Sequence, residues 1–98
     1  MDKIFKSLAD INRRKILTLL KDKDRGVNEI LKYLQIKQST LSSHLAILRK
    51  AGLVEFVING KQRIYKFNKE TIINFINELN RFVNVVDLKT GDEIIVRK

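Results

Sequence analysis

Apolar residues return along this chain at helical spacing over most of its length and at alternating or continuous spacing in one stretch, and that change of period lays out the elements. Across Gln38–Lys50, Leu41, Leu45 and Leu48 share one narrow arc of a helical wheel, while Ser39, Ser42, Ser43 and Lys50 lie on the other side. One face packs; the other is small and polar. Ala51-Gly52 stops the helix, glycine being the usual residue for a left-handed cap. Val, Ile and Phe then fill residues 53–58 up to Asn59-Gly60, and residues 62–67 form the returning strand. Asn-Gly between two such runs is a strong hairpin signal, so these two residues are expected to be the turn. The tip of the hairpin then carries Asn59, Lys61 and Arg63.

The remaining periodic stretches are helical. Residues 2–8 predict a short helix with Ile4, Phe5 and Leu8 on its apolar side, and Asp10 is the natural N-cap of a helix over residues 11–21 that buries Ile16, Leu19 and Leu20. Residues 21–26 read as a charged loop. Residues 27–34 form the first helix of a helix-turn-helix, burying Val27, Ile30, Leu31 and Leu34, with residues 35–37 as the turn. A last helix is expected over residues 70–86. Its apolar positions, Ile72, Ile73, Phe75, Ile76, Leu79, Phe82, Val83 and Val86, cover nearly half the circumference, whereas one core-facing stripe needs roughly 100°. The surplus predicts pairing with a twofold mate, with Ile4, Phe5, Leu8, Ile72, Ile76, Leu79 and Val83 as the dimer interface. Asn74, Asn77, Asn80 and Asn84 make a polar stripe read as solvated. The organisation is thus one domain over residues 1–86 and a tail, 87–98, whose Gly turn and β-branched residues suit a small hairpin. Ile94-Ile95-Val96 in that tail would dock on the dimer helices, cover a sheet edge or bind another protein.

Charge adds a partner to this outline. The 98 residues carry a net charge of +9, and between Lys32 and Lys69 eight basic residues face Glu55 alone, whereas residues 87–98 balance to zero. The excess lies where the polar-faced helix and the hairpin lie, which points to nucleic acid, although a Lys-rich surface also follows from genome composition or a hot habitat. Short hydroxyl and amide side chains at a helix start let the backbone approach a duplex and bond base edges or phosphates. Gln38, Ser39, Thr40, Ser42 and Ser43 are therefore candidate major-groove readers, and the same residues would also serve plain capping and solubility. Lys37, Arg49 and Lys50 are placed for phosphates, and Asn59, Lys61 and Arg63 for holding the hairpin on the backbone or in the minor groove.

Composition also removes whole classes. The absence of Cys excludes disulfides, thiolate metal ligands and thiol redox sensing. No apolar run approaches about 18 residues and the start lacks a signal-peptide core, so a cytoplasmic protein with no membrane partner is expected. One His, few carboxylates and no phosphate-cradling loop offer no constellation for an enzyme.

The string Ser39-Thr40-Leu41-Ser42-Ser43-His44-Leu45, with Leu48, Ala51-Gly52-Leu53-Val54, an Asn-Gly wing and Tyr65, closely resembles the winged helix-turn-helix of ArsR/SmtB-type repressors. So does the run from Leu8 through Asp10, Arg13 and Ile16 to Leu17, and the likeness extends over about residues 4–83. The resemblance implies a mostly α fold with a β-hairpin wing (α+β), a homodimer through the first and last helices, and a transcriptional repressor that binds an inverted-repeat operator in double-stranded DNA. Two positions depart from the family pattern. Ile11 stands where Pro is common, and Lys37 where Ser is common. Lys cannot cap a helix, so either Gln38 or Ser39 takes over the cap or Lys37 faces a phosphate. Metal-sensing relatives place Cys pairs in the first helix of the helix-turn-helix, or His and carboxylate pairs on the last helix. The first set falls here on Gly26 and Asn28, and the last helix has no His, so neither metal nor cofactor is expected. His44, at the family's His position, is read as an orienting or packing residue, with a phosphate contact as the lesser reading. The competing readings are a winged-helix protein-interaction module and a non-specific DNA-binding protein.

Overall fold

Capping chemistry sets the boundaries of the helices. In the computed structural model, which describes residues 1–82, the elements run α1 (Asp2–Leu8), α2 (Ile11–Asp22), β1 (Arg25–Gly26), α3 (Val27–Leu31), α4 (Gln38–Lys50), β2 (Val54–Asn59), β3 (Gln62–Phe67) and α5 (Lys69–Phe82). Asp10 caps α2, its Oδ1 accepting from the amides of Asn12 at 2.8 Å and Arg13 at 3.2 Å. Lys37 is the N-cap of α4 and no side chain bonds there, so neither Gln38 nor Ser39 takes over the cap. At the other end Gly52 adopts φ 79°, its N–H donating to the Arg49 carbonyl at 2.9 Å while Leu53 N–H donates to Leu48 at 3.0 Å. This paired closure stops α4 and turns the chain straight into β2.

Several boundaries differ from the sequence expectation, each for a physical reason. The charged loop contains a strand: Arg25 pairs with Tyr65 and Gly26 with Ile64, giving an antiparallel sheet of order β1-β3-β2. Two residues carry no periodicity, so only long-range pairing defines β1. α3 ends at Leu31 rather than Leu34, because Tyr33 N–H and Leu34 N–H bond to the carbonyls three residues back, tightening the last turn. The hairpin turn is displaced by one residue. Asn59 pairs with Gln62, so Gly60-Lys61 makes the turn and Lys61 stands at the tip itself. α2 runs to Asp22, and α5 begins at Lys69. The expected end of the last helix near residue 86, with Val83, Asn84 and Val86, and the tail hairpin over residues 87–98 lie outside the described residues.

Gly60 is held at φ 65°, and a Cβ built there would meet nothing within 4 Å. Only backbone strain therefore penalises a side chain. Gly60→Val should lose about 1–2 kcal/mol, and Gly60→Asn clearly less, in urea unfolding. Equal stability of the two variants would show that the turn rearranges.

The core is built from Ile16 and Leu20 of α2, Ile30 and Leu34, the α4 stripe Leu41, Leu45 and Leu48, then Leu53, Val54 and Tyr65. Leu19, Val27 and Leu31, expected to be buried, are half-buried at its edge. α5 is rooted at the α4 terminus. Thr71 Oγ1 donates to the Gly52 carbonyl at 2.6 Å, and Asn68 N–H donates to Leu53 at 2.9 Å. The buried Phe75 meets Phe5 of α1 edge-on, with ring centroids 5.1 Å apart. Ile73, Ile76 and Phe82 on the same helix stay exposed. No helix among the described residues is long and apolar enough to cross a membrane.

Candidate nucleic-acid interface

The polar face of α4 does not stand alone. Gln38, Ser42, Ala46 and Arg49 follow each other at helical spacing and form one wall of a groove of about 360 Å³, with Val27 and Asn28 of α3 at one end. Lys61, Gln62 and Arg63 of the hairpin form the opposite wall, above Tyr65. The fold thus places one face of α4, from its first turn to its last, beside the tip end of the wing, bringing Gln38, Ser42, Arg49, Lys61 and Arg63 together. Ser39, Thr40, Ser43 and Lys50 are exposed on α4 outside the groove, and Asn59 is exposed at the sheet end. Ser43 Oγ donates to the Ser39 carbonyl at 3.2 Å, so its proton is turned back onto the helix and its oxygen is left to accept. The first-turn amides of α4 have no side-chain cap and adjoin exposed Lys37. A positive helix end next to a lysine attracts a phosphate.

Sequence reasoning missed Asn28 and Gln62 as groove residues. Gln62 follows from hairpin register once the turn is placed at Gly60-Lys61, whereas Asn28 reaches the groove only through the tertiary packing of α3.

His44 orients the helix from behind. Its side chain is 12% exposed, Arg13 Nη1 lies 3.2 Å from its Nδ1, and its Nε2 is 3.9 Å from Asp10 Oδ1. Arg13 also donates through Nε to the Ser7 carbonyl at 2.7 Å and through Nη2 to Lys6 at 3.1 Å. With Arg13 donating to Nδ1, the ring proton sits on Nε2, facing the carboxylate. One guanidinium therefore ties the end of α1 and the start of α2 to the middle of α4. Partial burial pushes the Asp10 pKa up, but the amide bonds from Arg13 and Asn12, followed by the electrostatic pull of the neighbouring His44 and Arg13 side chains, outweigh it and hold it below the usual aspartate value. The cap stays ionised.

Among the described residues no three His, Asp or Glu side chains converge as metal ligands; Gly26 lies in β1 and Asn28 in the groove wall. Of the expected dimer residues, Ile4, Leu8 and Ile72 pack against the chain's own core, Phe5 and Ile76 are exposed, Leu79 is half-buried, and Val83 lies outside the described residues.

A mostly helical body with a small three-stranded antiparallel sheet, carrying a polar-faced helix against a basic hairpin, is a winged helix-turn-helix. Residues 10–55 match the family model described as bacterial regulatory protein, arsR family. The chain is 33% identical over 87 residues to the transcriptional repressor SdpR of Bacillus subtilis, covering 89% of this chain and 97% of that protein. It is also 33% identical to the transcriptional activator HlyU of Vibrio cholerae over 80% of this chain and 72% of that one. The solved structure of HlyU superposes with a TM-score of 0.68 at 32% identity, covering 83% of this chain and 88% of that chain. An ArsR-like regulator from Rhodococcus superposes with a TM-score of 0.81 at 26% identity, covering 92% and 83% respectively. The protein belongs to the arsR family. It is a DNA-binding transcriptional regulator rather than an enzyme, and double-stranded DNA is its partner.

Proposed function

We propose that this protein is a cytoplasmic homodimer that binds an inverted-repeat operator and represses transcription without a metal cofactor. The observation that carries the reading is the shared groove, in which the α4 positions Gln38, Ser42 and Arg49 face Lys61 and Arg63 of the wing. Gln38, Ser39, Thr40, Ser42 and Ser43 read or position the major groove, Lys37, Arg49 and Lys50 take phosphates, and Asn59, Lys61 and Arg63 hold the wing. Residues 1–86 form the DNA-binding and dimerisation unit. Exposed Phe5, Ile73, Ile76 and Phe82 supply the apolar face for the second copy. Repression is favoured over activation because the relative that this chain spans at 97% of its length is named a repressor, although HlyU is named an activator. Independence from metal is supported by the lack of Cys and by the engagement of the lone His with Arg13.

The test is a selection of random duplexes by the purified protein at about 150 mM salt, followed by affinity across a salt series. An inverted repeat with half-sites about 10 base pairs apart should be enriched. Arg63→Ala should weaken binding to every sequence and flatten the salt slope by about one unit, whereas Ser42→Ala should alter preference at particular base pairs by about 1–3 kcal/mol. Binding that collapses with salt and enriches nothing would leave a generic basic surface.

A further inference from the structure

Phe56 packs at the edge of the core and also meets charge. It is half-buried, stands opposite Tyr65 in the β2–β3 register, and its ring centroid lies 5.3 Å from that of the buried Tyr65. Two guanidiniums lie against this anchored ring. Cζ of Arg63 is 4.6 Å from the ring centroid and Cζ of Arg49 is 5.6 Å from it. They come from different elements. Arg63 sits on β3 two residues before Tyr65, diagonal to Phe56 on the same sheet face, while Arg49 belongs to the last turn of α4.

Gathering two like charges on one ring is unfavourable in itself, and the negative face of the ring offsets only part of the repulsion. Among the described residues neither guanidinium forms an ion pair with a carboxylate. Glu55, next in sequence to Phe56, falls on the opposite face of the sheet across from Lys66. Both arginines line the groove that holds Gln38 and Ser42. The pair therefore lacks an anion at the point where a DNA backbone would supply one.

We infer that Phe56 is a positioning residue for DNA binding: its ring holds Arg49 of the reading helix and Arg63 of the wing as one paired donor for backbone phosphate. The inference rests on the DNA-binding reading of the groove and adds a coupling between its two walls. Without the ring both arginines keep their charge but lose their fixed bearing, so each must be ordered again when DNA arrives.

Because phosphate contacts are independent of sequence, a random-sequence duplex of about 30 base pairs at low salt is a sufficient probe. Phe56→Leu should weaken binding about five- to thirtyfold, the cost of ordering two arginine side chains afresh on the DNA. In the Arg49→Ala/Arg63→Ala background the same substitution should change Kd by less than about twofold, because the groups it positions are gone. Phe56→Tyr, which keeps the ring, should restore the wild-type Kd. Urea unfolding of each variant separates loss of fold from loss of grip. An equal loss in both backgrounds, or failure of Phe56→Tyr to restore binding, would overturn the inference and leave Phe56 a packing residue. If the unaltered protein binds no duplex, the DNA reading of the groove fails first, and the inference goes with it.

Discussion

Replacing Ile76 with Asp should leave a folded monomer and weaken binding to a two-half-site operator by about a hundredfold or more, while binding to an isolated half-site changes little. The side chain is 49% exposed on α5, so within one chain the substitution places a carboxylate in water and disturbs little packing. Between two chains it would bury that charge among Phe5, Ile73 and Phe82 and their mates, where an unpaired carboxylate is strongly unfavourable. The expected contrast is Ile72→Ala. Ile72 packs against the chain's own core, so its loss should lower the unfolding free energy before it affects assembly. Sedimentation at micromolar concentration distinguishes the two variants. If Ile76→Asp stays dimeric, the second copy sits elsewhere, and if the unaltered protein is already a monomer, the twofold arrangement is wrong.

Arg25→Met should destabilise the fold by about 2 kcal/mol from the charge-assisted bond to Leu19 and the contact with Tyr33 alone. Arg25 is 8% exposed, donates through Nε to the Leu19 carbonyl at 3.0 Å, and lies 5.0 Å from the Tyr33 ring centroid. Its Nη1 also reaches Glu29 Oε2 at 3.0 Å, and Lys23 Nζ reaches the same oxygen at 3.2 Å. The hydrogen bond from Lys23, then the charges of Lys23 and Arg25 working against partial burial, hold the Glu29 pKa below 4.5. A carboxylate with a lowered folded pKa contributes stability above its ordinary value and loses it as pH falls through the folded one. The acid limb of the stability profile, below about pH 4.5, should therefore flatten in Arg25→Met. An unchanged midpoint and an unchanged acid limb would mean that β1 is held by its backbone pairing to β3 alone.

The parts of this fold that were legible in the sequence are those whose signal is local. Leu41, Leu45 and Leu48 repeat within α4, Asp10 precedes an apolar run, and Gly52 follows one, so α2 and α4 could be placed to within a residue, whereas the end of α3, which carries no such stop signal, was placed three residues too far. β1 was hidden because Arg25 and Gly26 acquire their identity only from Tyr65 and Ile64, some forty residues away in the register. The turn was misplaced because Asn-Gly fits two registers, and the choice of Gly60-Lys61 is made by the extra Asn59–Gln62 rung. For the site, the residue types on α4 and the hairpin were readable, as was the family likeness, but not their convergence. Nothing local joins Arg49 to Arg63; they meet because α4 is stopped at Gly52 and sent back as a strand that places Phe56 between them in sequence and beside them in space.

The Thr71–Gly52 bond fastens α5 to α4. The peptide that ends α4 is the same peptide that receives the hydroxyl of α5, so the two helices are joined by a direct hydrogen bond. If α5 joins two copies and α4 meets the DNA, as proposed above, this bond is the shortest link between the joining helix and the end of the helix that meets the DNA.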